Sequence, residues 1–337
     1  MADRTMERAV RLLSSGDILR LCPVKEAIEA VRTAFILTSE GKVEVPARTR
    51  LDSPEAKGTF LIMPSYLPGA GKLGVKVISL YEDNPRKGLP FSQALMLVFD
   101  AGDGRPLGIL EAGTLTALRT GAACGLATEL LSRPESRRLA LFGAGFQARF
   151  QLEAAAAVRR IEEVRVFDQD AERAEAFARQ MTERLSIPVR AADSAAEALK
   201  GADIVSTATT SKTPVFDDED IRPGTHINAI GSYKPEEREI PSLTAARARV
   251  FVDKRDMALE EAGDLIIPMK EGRIGPDHIA AEIGEVASGK KAGRLTAEEV
   301  TFFKTVGVAA QDIVLASQAL RKAAEQGLGR PFDFQRG

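Results

Sequence analysis

The segment from Arg138 to Asp168 restricts the fold of this 337-residue chain more than any other stretch. It contains an apolar run, the turn Gly-Ala-Gly-Phe-Gln-Ala at 143–148, an alanine-rich helical run to about Val158, and a second apolar run that ends in the acid. Strand, glycine turn, helix, strand and acid, in this order, make a G-x-G-x-x-A pattern credible as a dinucleotide-binding fingerprint. The segment therefore predicts a Rossmann-type unit.

Each small residue of the turn has a physical reason. Gly143 allows a sharp exit from the first strand, Gly145 has no Cβ and lets a pyrophosphate approach the backbone, and Ala148 lets helix and strand pack closely. The first helical turn leaves N–H groups that attract phosphate, and Asp168 can accept hydrogen bonds from ribose hydroxyls. The alternative is a glycine turn that binds nothing, and the complete context favours a bound dinucleotide.

Before this unit, the pattern predicts helices followed by an antiparallel sheet. Residues 1–40 carry apolar side chains at helical spacing, and residues 114–131 read as a long helix with Thr114 as a possible N-cap. Four segments between them are strand-like, at 43–51, 59–64, 72–81 and 93–100, and the turn at 100–106 predicts a hairpin.

After the fingerprint, strands and helices alternate to about residue 254, which implies a parallel sheet covered on both faces. Strands are predicted at 189–191, 204–208, 226–231 and 250–253, with helices near 170–184 and 194–200. Residues 298–325 carry an apolar stripe at helical spacing. We expect a helix there, too late in the chain to join the parallel sheet, with its end packed on the N-terminal domain. The predicted fold class is α/β: a doubly wound parallel-sheet domain plus an α+β domain with a mainly antiparallel sheet.

Composition restricts the partners and the compartment. The net charge of -2 gives no electrostatic reason to expect nucleic acid or an anionic membrane surface. No apolar run reaches the ~18 residues of a membrane-spanning helix, and the N-terminus lacks the apolar region of a signal peptide. Cys22 and Cys124 are the only cysteines, which argues for a reducing compartment, and no residues have metal-ligand spacing. We expect a cytoplasmic protein without a metal site.

Three cations stand alone in apolar sequence: Arg48, Lys76 and Arg119. A cation flanked by apolar residues often points into a cleft, because burying it unpaired costs several kcal/mol, and a carboxylate ligand would neutralise it. Each cation alone is more simply structural, since long charged side chains can extend past apolar surface to reach water. Spacing alone does not show that they act together.

The two histidines give little indication of catalysis. His226 lies in a predicted strand beside Asn228 and is more simply a packed residue than a base. No Ser-His-Asp arrangement is legible, so in an enzyme the cofactor would supply the difficult chemistry.

Seven motifs occur in order along the chain. They are Pro-Ala-Arg-Thr at 46–49, Met-Pro-Ser-Tyr at 63–66, Gly-Val-Lys-Val at 74–77, Leu-Arg-Thr at 118–120, the glycine turn at 143–148, Gly-Thr-His-Ile-Asn-Ala-Ile-Gly at 224–231, and Phe-Lys-Thr-Val-Gly-Val-Ala at 303–309. In this order they resemble the ornithine cyclodeaminase/mu-crystallin family over nearly the whole chain.

The resemblance implies a homodimer. Residues 1–117 with 306–337 would form the substrate-binding and dimerisation domain, and residues 118–305 the NAD(P)-binding Rossmann domain. The active site would be the cleft between the domains, where Arg48, Lys76 and Arg119 bind the carboxylate of a small amino or imino acid. The residues expected near the cofactor are Ser92, Gln93, Arg119, Thr120, Gly143, Gly145, Phe146, Gln147, Asp168, Gln169, Thr209, Ile230 and Thr305.

Two positions depart from the family pattern. Cyclodeaminases carry a catalytic aspartate where this chain has Tyr233, and tyrosine is a poor base near pH 7 because its reference pKa is about 10. NADP-using relatives often carry arginine where this chain has Gln169, and Asp168 would repel a 2′-phosphate. We therefore predict NAD(H) in preference to NADP(H), with Arg173 near enough to weaken that preference.

These features predict an NAD(P)H-dependent oxidoreductase. The expected reaction reduces a cyclic ketimine, Δ1-pyrroline-2-carboxylate or Δ1-piperideine-2-carboxylate, to L-proline or L-pipecolate, with Lys76 or Tyr233 handling the proton. The alternatives are ornithine or lysine cyclodeaminase with recycled NAD, alanine dehydrogenase, and a crystallin-like protein that binds nucleotide without turnover. The cation set favours an enzyme over a passive binder.

Overall fold

The computed structural model describes residues 9–334, so residues 1–8 of the predicted helical N-terminal region lie outside it. The strands are β1 (Val10–Leu13), β2 (Thr49–Ser53), β3 (Gly58–Leu67), β4 (Lys72–Tyr81), β5 (Ser92–Asp100), β6 (Pro106–Glu111), β7 (Arg138–Phe142), β8 (Glu163–Phe167), β9 (Val189–Ala191), β10 (Ile204–Thr207), β11 (His226–Ala229), β12 (Arg249–Val252), β13 (Ile279–Glu282), β14 (Thr301–Lys304) and β15 (Arg330–Phe332). The α-helices are α1 (Ser15–Leu21), α2 (Val24–Ser39), α3 (Ala112–Leu131), α4 (Phe146–Val158), α5 (Ala171–Leu185), α6 (Ala195–Leu199), α7 (Ser242–Arg247), α8 (Arg255–Glu261), α9 (Gly263–Lys270), α10 (Ile283–Ala287) and α11 (Ala309–Gln326).

The described chain forms two compact units. One comprises residues 9–119 and 308–334, and the other comprises Thr120–Gly307. Helix α3 therefore begins in the first unit and ends in the second. The predicted domains, 1–117 with 306–337 and 118–305, extend beyond the described residues and stay a prediction.

The first unit is built on a sheet in the strand order β15-β1-β6-β5-β4-β3-β2. Its described strands pair antiparallel except β1 with β6, which pair parallel. Helix α11 packs across β3, β4 and β5, as expected for the end of the chain. A Cβ at Gly74 would lie 2.5 Å from the side chain of Ile313, so the helix lies close against the sheet where glycine leaves room.

The second unit contains a parallel sheet in the order β13-β12-β14-β11-β10-β7-β8-β9. From β7 the chain proceeds to β8 and β9 on one side, and then returns to β10 and β11 on the other. The order therefore reverses beside β7, and ligands of such sheets bind at the carboxyl ends of the strands at that point. The glycine turn follows β7 directly. The predicted fold class, a doubly wound parallel sheet plus a mainly antiparallel sheet, is confirmed.

The predicted helix at 298–325 is wrong over its first part. Thr301–Lys304 is β14, which lies between β11 and β12 within the parallel sheet, and the helix begins at Ala309. Phe302 and Phe303 are fully buried there. A short apolar run rich in aromatic and β-branched residues cannot be distinguished from a helix by periodicity alone. The apolar stripe of the helix that follows made the predicted helix begin too early.

Three smaller predictions are also corrected. The predicted helical start of the chain contains strand β1, which lies beside β6. The segment at 43–51 becomes a strand only from Thr49. Thr114 is not the N-cap of α3, because the helix begins at Ala112 and the Glu111 carboxylate accepts hydrogen bonds from the backbone N–H groups of Gly113 and Thr114. Among the described residues, no helix combines the length and apolarity needed to cross a membrane.

Gly121 provides a test of how closely α3 approaches the fingerprint helix α4. A Cβ at Gly121 would lie 2.5 Å from the carbonyl oxygen of Phe150, a backbone atom that cannot turn aside. We expect Gly121→Ala to lower the free energy of unfolding by about 1–3 kcal/mol, as overpacking does. Urea denaturation followed by circular dichroism measures it.

Gly16→Ala in α1 is the matched control. A Cβ at Gly16 would meet nothing closer than the Ser14 hydroxyl at 3.9 Å. Alanine there should be neutral or stabilise by up to ~1 kcal/mol, the usual helix preference over glycine. A Gly121→Ala protein as stable as the wild type would show that the two helices do not meet as closely as described.

Candidate functional site

A fully buried carboxylate, Asp312 in α11, joins two of the three predicted cations. The Lys76 ammonium lies 2.7 Å from one carboxylate oxygen, and the Arg119 guanidinium Nε lies 3.2 Å from the other. Lys76 comes from the middle of β4 and Arg119 from α3, so three distant chain segments supply the group. We call Lys76, Arg119 and Asp312 the Asp312 cluster. Two cations share one anion, which leaves an excess of one positive charge (2 − 1) inside the first unit.

The side chain of Lys76 loses its proton more readily than an ordinary lysine. Burial lowers its pKa to about 8, while Asp312 opposes the shift and Arg119 and Arg48 add to it. Arg48 is therefore close enough to Lys76 to act on its charge, and the structure brings all three predicted cations together. A buried excess of positive charge is costly, and an anionic ligand would offset it.

Gln311 adds a hydrogen-bond donor to this place. Its side-chain oxygen accepts hydrogen bonds from Arg119, at 3.1 Å, and from the backbone N–H of Val308, at 3.0 Å, which fixes the orientation of the amide. The amide nitrogen is buried and has no acceptor among the described residues. A buried donor without an acceptor costs ~1–3 kcal/mol, so a ligand oxygen would be stabilised here.

The two glycines of the fingerprint differ in what the fold demands of them. Gly143 has a φ of 90°, and a Cβ there would lie 2.7 Å from the carbonyl oxygen of Ala208 in the loop after β10, so the fold itself requires glycine. A Cβ at Gly145 would meet no atom of the described chain within 4 Å, and its φ of -88° suits any residue. Gly145 precedes α4, and no side chain of the described residues caps that helix. This open, uncapped helix start fits a pyrophosphate.

Asp168 follows β8 as predicted, and both of its oxygens are occupied. One accepts from the backbone N–H of Ala144, at 2.8 Å, and from Arg173 Nε, at 3.1 Å; the other accepts from the N–H of Asp170, at 2.9 Å, and from Arg173 Nη2. Burial raises the pKa of Asp168, but the hydrogen bonds from Arg173 and the two N–H groups outweigh it, so this pKa lies below its usual value. The ionised acid fits ribose hydroxyls if Arg173 moves aside.

The remaining predicted cofactor residues of the second unit lie on loops at the carboxyl ends of strands or at helix ends. Thr209 and Ile230 follow β10 and β11, Thr305 follows β14, and Gln169 is exposed after Asp168. The Thr305 hydroxyl donates to Asp253 at 2.6 Å. Phe146 and Gln147 occupy the first turn of α4, and Thr120 is buried in α3. Tyr233 is half-buried, with the Lys234 ammonium 5.9 Å from its ring centre.

Ser92 and Gln93 begin β5 in the first unit. Ser92 pairs with Leu80 and Gln93 with Ser79 on β4. Because strand side chains alternate, Ser92 shares the sheet face of Lys76 and Gln93 points to the opposite face. The structure therefore does not bring Gln93 together with the three cations.

Sequence reasoning missed Asp312, Gln311 and Glu239, a buried acid between α7 and the loop after β11. A signal existed for Asp312, because it is a lone acid beside the apolar stripe of α11, just as the cations are lone charges in apolar strands. His226 is a packed residue, as predicted: it is fully buried between Thr301 and Asn228, and burial lowers its pKa to about 3.

The chain is similar to known proteins over nearly its whole length. The family model described as ornithine cyclodeaminase/mu-crystallin matches residues 8–327. A Delta(1)-pyrroline-2-carboxylate reductase of Bacillus cereus is 39% identical over 324 residues, 96% of this chain and 99% of that protein. The same enzyme from Thermococcus litoralis, in complex with NADH and L-proline, matches with a TM-score of 0.93 and 43% identity over 95% of this chain and 99% of that one. An archaeal alanine dehydrogenase dimer with bound NAD matches with a TM-score of 0.89 and 35% identity, over 96% of this chain and 99% of that one.

Proposed function

The chain belongs to the ornithine cyclodeaminase/mu-crystallin family, as predicted, and we propose that it reduces a cyclic ketimine carboxylate with NADH. The substrate would be Δ1-pyrroline-2-carboxylate or Δ1-piperideine-2-carboxylate, and the product L-proline or L-pipecolate. The observation that carries the proposal is the buried Asp312 cluster, which holds one positive charge in excess. Relatives that cover nearly the whole chain are named pyrroline-2-carboxylate reductases, which supports this substrate class.

The substrate carboxylate would bind to Arg48, Lys76 and Arg119. It would neutralise the excess charge, and the unpaired amide N–H of Gln311 would donate to one of its oxygens. Asp312 would not touch the substrate, since it holds Lys76 and Arg119 at fixed positions. Fixed charges arranged before the substrate arrives stabilise charge without reorganisation during the reaction.

Reduction of a C=N bond needs a hydride at carbon and a proton at nitrogen. A bound reduced nicotinamide supplies the hydride. We assign the proton to Lys76 rather than to Tyr233, because burial brings the pKa of Lys76 to about 8, near the pH at which a donor works best. Solvent would then reprotonate the side-chain amine of Lys76.

A turnover screen tests the proposed reaction. The purified enzyme is offered the two cyclic imino acids, pyruvate with ammonia, and L-ornithine, each with NADH, NADPH or NAD, and absorbance at the nicotinamide band is followed. We expect NADH oxidation with the cyclic imino acids. Ammonia release from ornithine, or activity with pyruvate and ammonia only, would replace this proposal with cyclodeaminase or alanine dehydrogenase.

In the same screen, Arg48→Ala should raise KM for the imino acid by about tenfold or more, because it removes a charge-assisted contact to the carboxylate. Arg50→Ala is the matched control, since Arg50 is exposed on β2 and pairs with Asp52. An unchanged kcat/KM in Arg48→Ala would contradict the carboxylate assignment.

The pKa of Lys76 makes a second prediction. We expect kcat/KM to fall as the pH rises through about 8, because the free enzyme loses the ammonium that binds the carboxylate and donates the proton. Lys76→Arg keeps the positive charge but cannot give up a proton, so this variant should turn over more slowly, and its residual kcat/KM should lack the decline up to about pH 10. The substrate imine titrates in the same way in both assays. The difference between the pH profiles of the wild type and Lys76→Arg therefore reports the titration of Lys76.

Lys72→Arg is the control for that profile. Lys72 lies on the same strand, is half-buried and pairs with Asp100, so its replacement should leave the decline near pH 8 in place. If Lys76→Arg and the wild type declined at the same pH, another group would carry the proton.

We further propose a preference for NADH over NADPH. Asp168 is an ionised acid at the place where the fingerprint positions the ribose, and Gln169 beside it is neutral and exposed. A 2′-phosphate would be repelled by Asp168, although Arg173 could pair with it after leaving Asp168. The pairing of Arg173 with Asp168 therefore reduces the preference without reversing it.

Kinetics with both cofactors tests this preference. The wild type should be more efficient with NADH, and Arg173→Ala should increase the ratio of NADH to NADPH efficiency by about fivefold or more, because it frees Asp168 and removes the cation beside it. Arg179→Ala, farther along α5 and paired with Glu175, is the control. A wild type about tenfold more efficient with NADPH would overturn the preference.

We also propose a homodimer that forms through the outer face of the first sheet. The opposite face of this sheet is covered by α11. The outer face presents apolar side chains from four adjacent strands, which are Ile62, Pro64, Tyr66, Leu73, Val75, Val77, Leu95, Leu97, Phe99 and Ile109. Leu95, for example, is 53% exposed. A contiguous apolar face of this kind marks an interaction site, and the similar alanine dehydrogenase is a dimer.

A cytoplasmic location remains our proposal. Cys22 and Cys124 are both buried thiols outside any disulfide. Burial raises the pKa of Cys22 to about 11, which keeps that thiol protonated and unreactive. Two such cysteines suit a reducing compartment.

A further inference from the structure

Glu239 is a fully buried acid that no step of the proposed reaction uses. One of its oxygens, Oε1, accepts hydrogen bonds from both the backbone N–H and the hydroxyl of Thr209, each at 2.7 Å. The other, Oε2, accepts from the hydroxyl of Thr207 at 2.8 Å and from the backbone N–H of Gly231 at 2.7 Å. One side chain thus joins the loop after β10 to the loop after β11.

Two further buried charged residues, Asp264 and Lys304, bind the backbone around Glu239 and the loop after β11. Asp264 accepts hydrogen bonds from the backbone N–H groups of Glu239 and Ile240, at 2.7 and 2.9 Å. The ammonium of Lys304 lies 2.7 Å from Asp264 and donates to the carbonyl oxygen of Ser232 at 2.5 Å. We call Glu239, Asp264 and Lys304 the Glu239 cluster.

The peptides just before Tyr233 are therefore held by opposite charges. The N–H of Gly231 is bound by the carboxylate of Glu239, and the carbonyl of Ser232 by the ammonium of Lys304. The Ser232 hydroxyl also donates to the carbonyl oxygen of Glu237. Charge-assisted hydrogen bonds of this kind are about twice as strong as neutral ones, so the backbone before Tyr233 is fixed in one conformation.

A carboxyl group can make all of these contacts, and an amide cannot. Each oxygen of Glu239 faces one backbone N–H, and a backbone N–H can only donate. An amide at this position would turn its NH₂ group toward the N–H of Thr209 or toward that of Gly231, whichever way it was oriented. Burial and Asp264 raise the pKa of Glu239, while Lys304 and Thr209 oppose that shift.

The two loops lie beside the glycine turn of the fingerprint. Strand β10 neighbours β7 and β11, and the glycine turn after β7 meets the loop after β10 at the Gly143 to Ala208 contact. A Cβ at Gly231 would collide with the carbonyl oxygen of Thr209 and with the carboxylate of Glu239. The loops after β7, β10 and β11 are thus packed on one another at the carboxyl edge of the sheet.

We propose that Glu239, held by Asp264 and Lys304, is a positioning residue: its carboxylate fixes the loops that carry Thr209, Ile230 and Tyr233 in the conformation that binds the dinucleotide. The inference rests on the proposed function for the identity of that ligand. Glu239 acts through the loops and does not touch the reacting atoms.

The test compares three variants by their affinity for NADH, measured as the enhancement of NADH fluorescence on titration, at a temperature well below the Tm of each. Glu239→Gln leaves one loop N–H without an acceptor, and should raise the Kd for NADH by about tenfold or more. Gly231→Ala keeps every charged group but forces the two loops apart, and should raise this Kd by a similar factor.

Thr207→Val is the matched control. It removes a hydrogen bond to the same carboxylate oxygen, but Thr207 belongs to strand β10 rather than to a loop. It should lower Tm while changing the Kd for NADH by about threefold or less. The imino-acid KM measured at saturating NADH should change less than this Kd in Glu239→Gln, since the Asp312 cluster belongs to the other unit.

The outcomes separate the two proposals. A Kd for NADH within about twofold of the wild type in Glu239→Gln, or an equal rise in Thr207→Val, would show that Glu239 serves stability alone and would overturn the inference. If Glu239→Gln did not fold, Gly231→Ala with wild-type affinity would overturn it equally. A wild type that binds NADH but reduces no cyclic imino acid would refute the proposed function and leave the affinity test valid.

Discussion

The burial of the Asp312 carboxylate between Lys76 and Arg119 is the interaction on which the first unit depends. Removing one partner of such a pair from a protein interior costs ~3–5 kcal/mol, because the remaining charge stays buried. The three residues come from a strand, from the helix that leads into the second unit, and from the helix that returns to the first unit near the end of the chain. That return is therefore a condition for the site, because α11 supplies the only carboxylate that pairs with both cations among the described residues.

The second unit also contains buried charged side chains that hold its backbone in place. In the Glu239 cluster, Lys304 pairs with Asp264, and Asp264 accepts a hydrogen bond from the backbone N–H of Glu239, whereas in the Asp312 cluster two cations pair with one acid. Neither arrangement is needed for stability as such, since hydrophobic residues of equal volume in the same positions often give a protein that is as stable or more stable. Each instead fixes a geometry: one holds two cations at set positions, and the other holds two loops together.

Local features of the fold could be predicted from the sequence, and features made by distant residues could not. The fingerprint strand, helix and second strand begin and end within a residue or two of their predicted limits, because adjacent residues specify them. The three cations were identified because an isolated charge in an apolar strand is itself a local signal. Asp312 is a lone acid beside an apolar stripe, but its neighbours do not indicate that it pairs with Lys76, 236 residues away. In the same way, the sequence around Glu239 and β14 does not show which distant segments they contact.

The structure also separates residues that the fold requires from residues that a ligand would require. Gly143 and Gly121 face backbone oxygens at distances where no Cβ fits, so their identity follows from packing alone. Gly145 faces open space, and the amide nitrogen of Gln311 has no acceptor among the described residues. A position whose chemistry nothing in the protein explains is one where a bound molecule supplies the explanation. Gly145 lies at a helix start suited to a phosphate and Gln311 is hydrogen-bonded to Arg119, and on this ground we propose an anion at each position.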